Sequence, residues 1–345
     1  MATGSSRAGG GASPILASDW YARMTGAPLA AVGDALADAY PAPLVRLAAR
    51  LAPLRGLLLF RLARRARGVA ITAAEPGATT LLLCEAWLRR RRAVVLLEVI
   101  ERRPQRPLNR LTYAAWTRLV VRPALRRAVA GAQVTSAADE QRLVAELGTS
   151  GAVVRRIDWA RSTGAPVPAT LGPRTGVLSS GRAWCDWETL FAAASGREWP
   201  LTVVCANSDR ARVDALNHGG RARVLSEIPR PEHDRLLGQA AVYAIALRDD
   251  APSAGHVRLM AATDAGTAVV ATRVATLEGY LEDGVTARTV APGRPAALRE
   301  AIEALLDSPE ERRRLTDAAR VAARAWTYRE YFTAVSALID DSLAS

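Results

Sequence analysis

AVYAIALRDDAPSAGHVRLMAATDAGTAVVAT, residues 241–272, is the stretch whose reading decides the fold class. It opens on an uninterrupted apolar run, Ala241–Leu247, and passes through an acidic loop at Asp249-Asp250. A helical segment, Ala254–Ala265, and a second apolar run, Ala268–Thr272, follow. Two short strands without polar alternation are buried on both faces, and a helix between them makes a right-handed crossover in a parallel sheet.

The same alternation extends outward on both sides. Upstream, strands are predicted at Gly176–Ser179, Leu201–Ala206 and Arg223–Leu225, with helices at Trp187–Ser195, Asp209–Asn217 and Glu232–Gln239. Downstream come a short strand, Ala287–Val290, and helices Pro295–Leu306 and Pro309–Ala325. The first half repeats the pattern, with strands at Val69–Ala73, Ala93–Val99, Gln133–Ser136 and Val153–Ile157. Its helices are predicted at Ala78–Arg90, Leu111–Ala130 and Ala137–Leu147. Pro166, Pro168, Gly172 and Pro173 mark a linker between the halves. The expected organisation is α/β: a Gly/Ser/Ala-rich frayed tail over 1–13, a Rossmann-like lobe over 14–165, a linker over 166–175, a second Rossmann-like lobe over 176–325, and a closing segment over 326–345. Two such lobes facing each other across a cleft place their strand ends toward it.

Composition removes several chemistries. The chain has 345 residues, 50% of them hydrophobic and 23% charged, which excludes a wholly disordered protein. All 46 basic residues are Arg, so no Schiff-base or phosphate-loop lysine exists. Cys84, Cys185 and Cys205 are scattered, and the histidines are His218, His233 and His256, which supports neither a disulfide framework nor a multi-histidine metal centre. A Ser-His-Asp relay has only these three histidines to draw on. No apolar run reaches the roughly 18 residues needed to span a bilayer, and Met1–Ser13 lacks the features of a signal or transit peptide. The expected location is cytoplasmic, with peripheral attachment to the inner face of the membrane.

Charge is divided unevenly: 25 Arg face 11 acidic residues up to Gly172, a net of +14, and 21 Arg face 23 acidic residues thereafter, a net of −2. An anionic partner for the first half is the consequence. LVRLAARLAPLRGLLLFRLARRAR, residues 44–67, reads as a basic amphipathic helix interrupted at Pro53, and suits an anionic membrane surface. A core-facing helix with a solvated Arg face is the plainer reading of the same pattern. The runs Arg89–Arg92 and Arg102–Arg110 add charge nearby. Stacking aromatics, zinc-finger spacing and RNA-recognition signatures are missing, so nucleic acid is not expected.

An ordered series in the second half resembles the donor-binding domain of retaining GT-B glycosyltransferases of group 1, family 4-like. VLSSGRAWCDWETLFAA at 177–193 resembles the first strand, glycine-arginine loop and helix. SEIPRPEHDRLLGQAAVYAIAL at 226–247, SAGHVRLMAATDAGTAVVAT at 253–272 and YLEDGVTARTVAPGRPAALREAIEALLDSPEERRRL at 280–315 follow in the family's order. The resemblance implies a nucleotide sugar as co-substrate, UDP-linked in preference to GDP-linked, no metal, and transfer with retention to a glycan, lipid-linked or small-molecule acceptor in cell-envelope or exopolysaccharide synthesis. It also implies a terminal helix that crosses back to brace the first lobe; simple packing of that helix on the second lobe is the alternative.

Residue by residue, the resemblance assigns Gly181 and Arg182 to the diphosphate, Arg182 as the catalytic guanidinium. Ser253, Ala254, Gly255 and His256 open the helix that meets the phosphates through its N–H groups. Glu227 and Ile228 fall where the family's backbone faces the nucleobase. Two departures stand out. The family Lys beyond the arginine is absent, leaving that half of the clamp missing or supplied by another Arg. The two family Glu positions read Ser253 and Ala261, with Asp264 the nearest substitute. On the acceptor side, Glu75 and Gly77 lie in a turn after a strand, and Glu98 at a strand end is a candidate to accept a hydroxyl proton. The alternative function is a catalytically degenerate GT-B binding or regulatory subunit. A dinucleotide oxidoreductase is excluded because no GxGxxG turn follows a first strand.

Overall fold

A computed structural model describes residues 14–25, 29–89, 91–99, 114–148, 152–164, 173–249 and 254–344. The 1–13 tail, the Arg102–Arg110 run, linker residues 166–172 and Ser253 lie outside the described residues. Close packing divides the chain into a unit of Met1–Ile157 with Phe332–Ser345 and a unit of Asp158–Tyr331.

The first unit is built on β1 (Ile15–Ala17), β2 (Leu29–Ala31), β3 (Gly68–Thr72), β4 (Val94–Leu97), β5 (Val129–Val134) and β6 (Val153–Arg156), in the order β2-β1-β3-β4-β5-β6. All pairings are parallel. Strands β1 and β2, three residues each, are too short to leave a periodic signal. The helix predicted to run to Ala130 ends at Ala128, and Val129 begins β5. Pairing on both sides, with β4 and β6, overrides the helix propensity of this alanine-rich stretch. The last helix, Tyr328–Ala344, packs from Phe332 onward with this unit: Phe332 stands 5.6 Å from the Tyr21 ring, and Arg155 bonds Asp341 at 2.9 Å.

Residues 44–67 fold as two helices, Ala42–Arg50 and Ala52–Ala63, broken at Leu51 (φ −117°, ψ 91°) just before Pro53 in the first turn of the second. Proline fits a first turn, where its missing N–H has no partner to lose. The second helix buries Gly56, Leu58, Leu59 and Ala63 in the core. The apolar stripe read from sequence is therefore largely consumed by packing, leaving Leu47, Leu51 and Leu57 exposed. Gly56 meets the turn after β3 at backbone distance, where an added Cβ would lie 2.5 Å from the Gly77 carbonyl oxygen and from Thr80 Cβ.

The second unit pairs β7 (Thr175–Gly181), β8 (Leu201–Cys205), β9 (Arg223–Ser226), β10 (Ala240–Ile245), β11 (Ala268–Thr272) and β12 (Arg288–Val290) in the order β12-β11-β10-β7-β8-β9, again all parallel. Counted within the unit this is the doubly wound order 3-2-1-4-5-6, in which the chain leaves adjacent central strands, β7 and β10, toward opposite sides. Trp187, Leu190, Val203, Val242, Ala244, Val270, Leu298 and Ile302 fill its core. Among the described residues, no helix is long and apolar enough to cross a membrane.

Gly56→Val is expected to destabilise the protein by about 1–3 kcal/mol through overpacking against the Gly77 turn, read as a lower urea midpoint at unchanged slope.

Candidate functional site

Ligands of doubly wound sheets bind beyond the strand C-termini where the connections diverge. Here that point lies between the loops after β7 and β10. Strand β7 ends at Gly181, and nothing larger fits: a Cβ there would stand 2.3 Å from Cys185 Sγ and 2.7 Å from Arg258 Nη1. Arg182 follows, with its side chain 75% exposed, and pairs with Glu227 at 2.8 Å. Glu227 is presented from the end of β9 by a left-handed backbone (φ 49°), and its Oε1 accepts the Asn207 N–H at 3.4 Å.

A second guanidinium, not singled out by the sequence reading, lies beneath the same loop. Arg258, in the first turn of the helix His256–Ala265, donates from Nη1 to the Ser180 carbonyl at 2.9 Å and to Cys185 Sγ at 3.5 Å. No carboxylate lies within ion-pair distance of it among the described residues. Its one sequence signal is its place two residues after His256, on the turn that faces the β7 loop. Arg248 stacks over the Trp184 ring at 4.9 Å, and its backbone N–H donates to the Trp184 carbonyl at 3.1 Å. Burial pushes the Cys185 thiol up, and the Arg258 charge pulls it back.

The helix start is shaped by Gly255 at φ 99°, an αL cap that leaves no side chain over the first-turn N–H groups. Ala254 is tied by its carbonyl to Thr276 Oγ1 at 3.4 Å. His256 turns inward, against the expectation that it reaches a phosphate. It is buried, its Nε2 lies 2.7 Å from the Thr276 carbonyl, and its ring packs 4.5 Å from Tyr280. Asp264 is likewise committed elsewhere: it accepts from Ser162 Oγ at 2.5 Å and from the Thr163 N–H at 3.0 Å. Eight residues separate it from the helix start, about 12 Å along the axis, so it caps a loop at the far end instead of standing in for a family Glu. Ile228 is half-buried beside Glu227.

Under β7, Ser180 Oγ lies 2.8 Å from His233 Nε2 and 2.5 Å from the Tyr243 hydroxyl. Asp234 stands 3.7 Å from His233 Nδ1, beyond hydrogen-bond reach. With Ser180 only 4% exposed, this group supports the strand end and offers no nucleophile.

In the first unit, Glu75 accepts from Ser18 Oγ and from Arg55 Nη2, each at 2.8 Å, and is largely enclosed. Gly77 (φ 91°) opens the helix Ala78–Cys84 and meets Gly56, so its glycine is accounted for by packing. Glu98 sits just past β4 with φ 51°; Tyr21 donates its hydroxyl to Oε1 at 2.8 Å, and Gln133 Oε1 accepts the Glu98 N–H at 2.7 Å. Burial raises the Glu98 carboxyl above the ordinary range, and the Tyr21 hydrogen bond opposes it. The three non-glycine residues with positive φ among the described residues are Glu98, Trp184 and Glu227, and each follows a strand's C-terminal end. Backbone strain of this kind gathers at functional edges.

The sequence model of the family described as glycosyl transferases group 1 matches residues 194–322. Over this stretch, a little more than a third of the chain, the sequence is similar to that family. Arg258, Glu227 and the His256–Ala265 helix lie inside the matched residues, whereas Gly181 and Arg182 precede them. Solved structures show the GT-B fold across nearly the whole chain. Sucrose-phosphate synthase from Thermosynechococcus elongatus aligns at TM-score 0.64 and 18% identity, covering 88% of this chain and 80% of its own. A glycosyltransferase from Rickettsia africae aligns at 0.64 and 12%, covering 96% and 99%. HepE from Anabaena, solved with UDP and glucose, aligns at 0.65 and 14%, covering 85% and 83%. Among curated proteins nothing matches this chain.

Between the ordinary carboxylate pKa of about 4.3 and the raised folded value of Glu98, the folded state holds the extra proton, so stability falls as pH rises through that window. Glu98→Gln, which keeps an acceptor for Tyr21, is expected to flatten that fall, measured as thermal midpoints of both proteins across the acid-to-neutral range.

Proposed function

We propose that the unit Asp158–Tyr331 binds a nucleotide diphosphate sugar at the β7/β10 switch point and that the protein transfers the sugar to an acceptor hydroxyl. The observation that carries this is the meeting of Arg182, Arg258 and an uncapped helix start at one strand end. Diphosphate is the guest that suits two guanidiniums and a positive helix terminus. Arg258 then supplies the half of the clamp for which the family uses a lysine.

In the reaction the bond between the sugar C1 and the β-phosphate oxygen breaks, and negative charge grows on that oxygen. Arg182 exchanges Glu227 for the leaving diphosphate and stabilises this charge, with Arg258 and the first-turn N–H groups holding the other oxygens. A bond forms between C1 and the acceptor oxygen, and the hydroxyl proton passes to the departing phosphate oxygen from the same face, which yields retention. Glu98 is assigned to the acceptor side, where its strained, buried carboxyl suits a group that accepts a hydrogen bond from the acceptor hydroxyl and orients it, while the proton itself goes to the phosphate oxygen. No metal is given a role.

UDP is favoured over GDP as the donor nucleotide. Support comes from HepE of Anabaena, whose structures hold UDP or UDP-glucose. The acceptor class is a glycan, a lipid-linked saccharide or a small molecule met by the Arg-rich first unit, in cell-envelope or exopolysaccharide synthesis on the cytoplasmic side. One observation favours the alternative of a degenerate binding subunit: the sole acid near the family's second Glu, Asp264, is bound to Ser162 and Thr163.

Calorimetry at fixed salt tests the reading. UDP is expected to bind in the micromolar range and more tightly than GDP. Arg182→Ala, an exposed change, is expected to weaken UDP about ten- to hundredfold, the span for losing a charged hydrogen bond. No binding of either nucleotide would leave the degenerate reading standing.

A further inference from the structure

The first unit carries a basic, partly apolar face that neither the donor site nor the core uses. The helix Ala78–Cys84 continues into a π turn, Glu85–Arg89, which packs beside the helix Arg122–Ala128. Between them opens a cavity of about 560 Å³ lined by Ala86, Trp87, Arg92, Arg126 and Arg127. None of the lining residues is acidic. Arg127 lies over the Trp87 ring at 5.3 Å, and Arg126 is braced by its Nε donating to the Glu146 carbonyl at 2.7 Å. Among the described residues no carboxylate is within ion-pair distance of Arg92, Arg126 or Arg127. Guanidiniums held apart from every carboxylate of the described residues, one of them braced and one stacked, form a receptor for a phosphate group.

Large apolar side chains stand exposed on the π turn Glu85–Arg89 and on the helical turns over 114–121 that lead into Arg122–Ala128. Leu88, next to Trp87, is 70% exposed, Leu119 is 71% exposed, and Trp116 is 46% exposed. Arg122 and Arg126, four residues apart, share one face of the helix Arg122–Ala128, where Arg122 pairs with Glu146 at 3.6 Å. Arginine beside exposed leucine and tryptophan is the composition of a surface that enters the headgroup layer, with guanidiniums on phosphates and apolar tips below them. The residues 44–67, read from sequence as the membrane-facing helix, spend most of their apolar face on the core.

We propose that this face, centred on Trp87, Arg92, Arg126 and Arg127, docks the protein on an anionic phospholipid bilayer, with a lipid phosphate seated in the cavity and Leu88, Trp116 and Leu119 inserted beside it. Binding to lipid requires no turnover and no nucleotide, so its success or failure is separate from that of the donor-site reading.

The test is co-sedimentation of the full chain with phosphatidylcholine vesicles, with and without phosphatidylglycerol. The native protein is expected to bind only the anionic vesicles. Replacing Arg92, Arg126 and Arg127 together by Gln is expected to cut that binding about a hundredfold, with unchanged circular dichroism. Leu88→Ser and Leu119→Ser, both at exposed positions, are expected to cut it severalfold and carry the test if the triple variant does not fold. Arg46→Gln with Arg50→Gln, on the helix Ala42–Arg50, serves as the control and is expected to bind as the native chain does. The proposal is overturned if the face variants bind like the native protein, if the control variant alone loses binding, or if calorimetry shows glycerol phosphate binding without any vesicle binding.

Discussion

Parallel pairing is the constraint from which the rest of this molecule follows. Both six-stranded sheets are parallel throughout, and a parallel neighbour can be reached only by a crossover that returns the chain to the starting edge. Every strand of a sheet therefore ends on the same side, and the loops that follow crowd there. In the second unit, the reversal of winding between β7 and β10 separates two of those loops, which is the place where a ligand can approach the backbone. The cluster of Arg182, Arg248 and Arg258 is a consequence of that topology, because the loop after β7 and the segment after β10 supply all three.

Crowding at such an edge shows up as backbone cost. Glu98, Trp184 and Glu227 adopt left-handed conformations that glycine would take more cheaply, and all three sit where a strand has just ended. Trp184 offsets its strain by stacking with Arg248, and Glu227 by pairing with Arg182. Glu98 is locked by Tyr21 from one side and Gln133 from the other. The first unit's edge and the second unit's edge are thus treated alike, although their sequences share no motif.

Fold class was legible because apolar runs such as Ala241–Leu247 and Ala268–Thr272 carry their signal within single elements. What escaped depends on partners far away in the chain. Three-residue strands such as Ile15–Ala17 are defined by their neighbours and not by a pattern of their own, and the boundary at Val129 was set by pairing with β4 and β6. The same division holds at the site. Gly181 and Arg182 were visible as a glycine-arginine turn after a strand, but where a side chain points is decided by packing. His256 and Asp264 look available along the sequence, yet one is folded onto Tyr280 and the other is bound to residues 162 and 163. Arg258, an unremarked helical arginine in the sequence, gains its meaning only from the Ser180 carbonyl that it meets.

The Arg182–Glu227 pair gives the second unit an internal competitor for anions. A resident carboxylate neutralises the guanidinium that an incoming anion would need, so entry is an exchange of one counter-charge for another and the net gain is only the difference between them. Were the proposed donor site to operate, ligands would be sorted by how strongly they out-compete a single carboxylate: a nucleoside without phosphate brings nothing to displace it, whereas a diphosphate brings several oxygens at once. On the proposed donor site, departure would run the exchange backward, with Glu227 close at hand to reclaim the arginine, so the contact that screens entry would also hasten release.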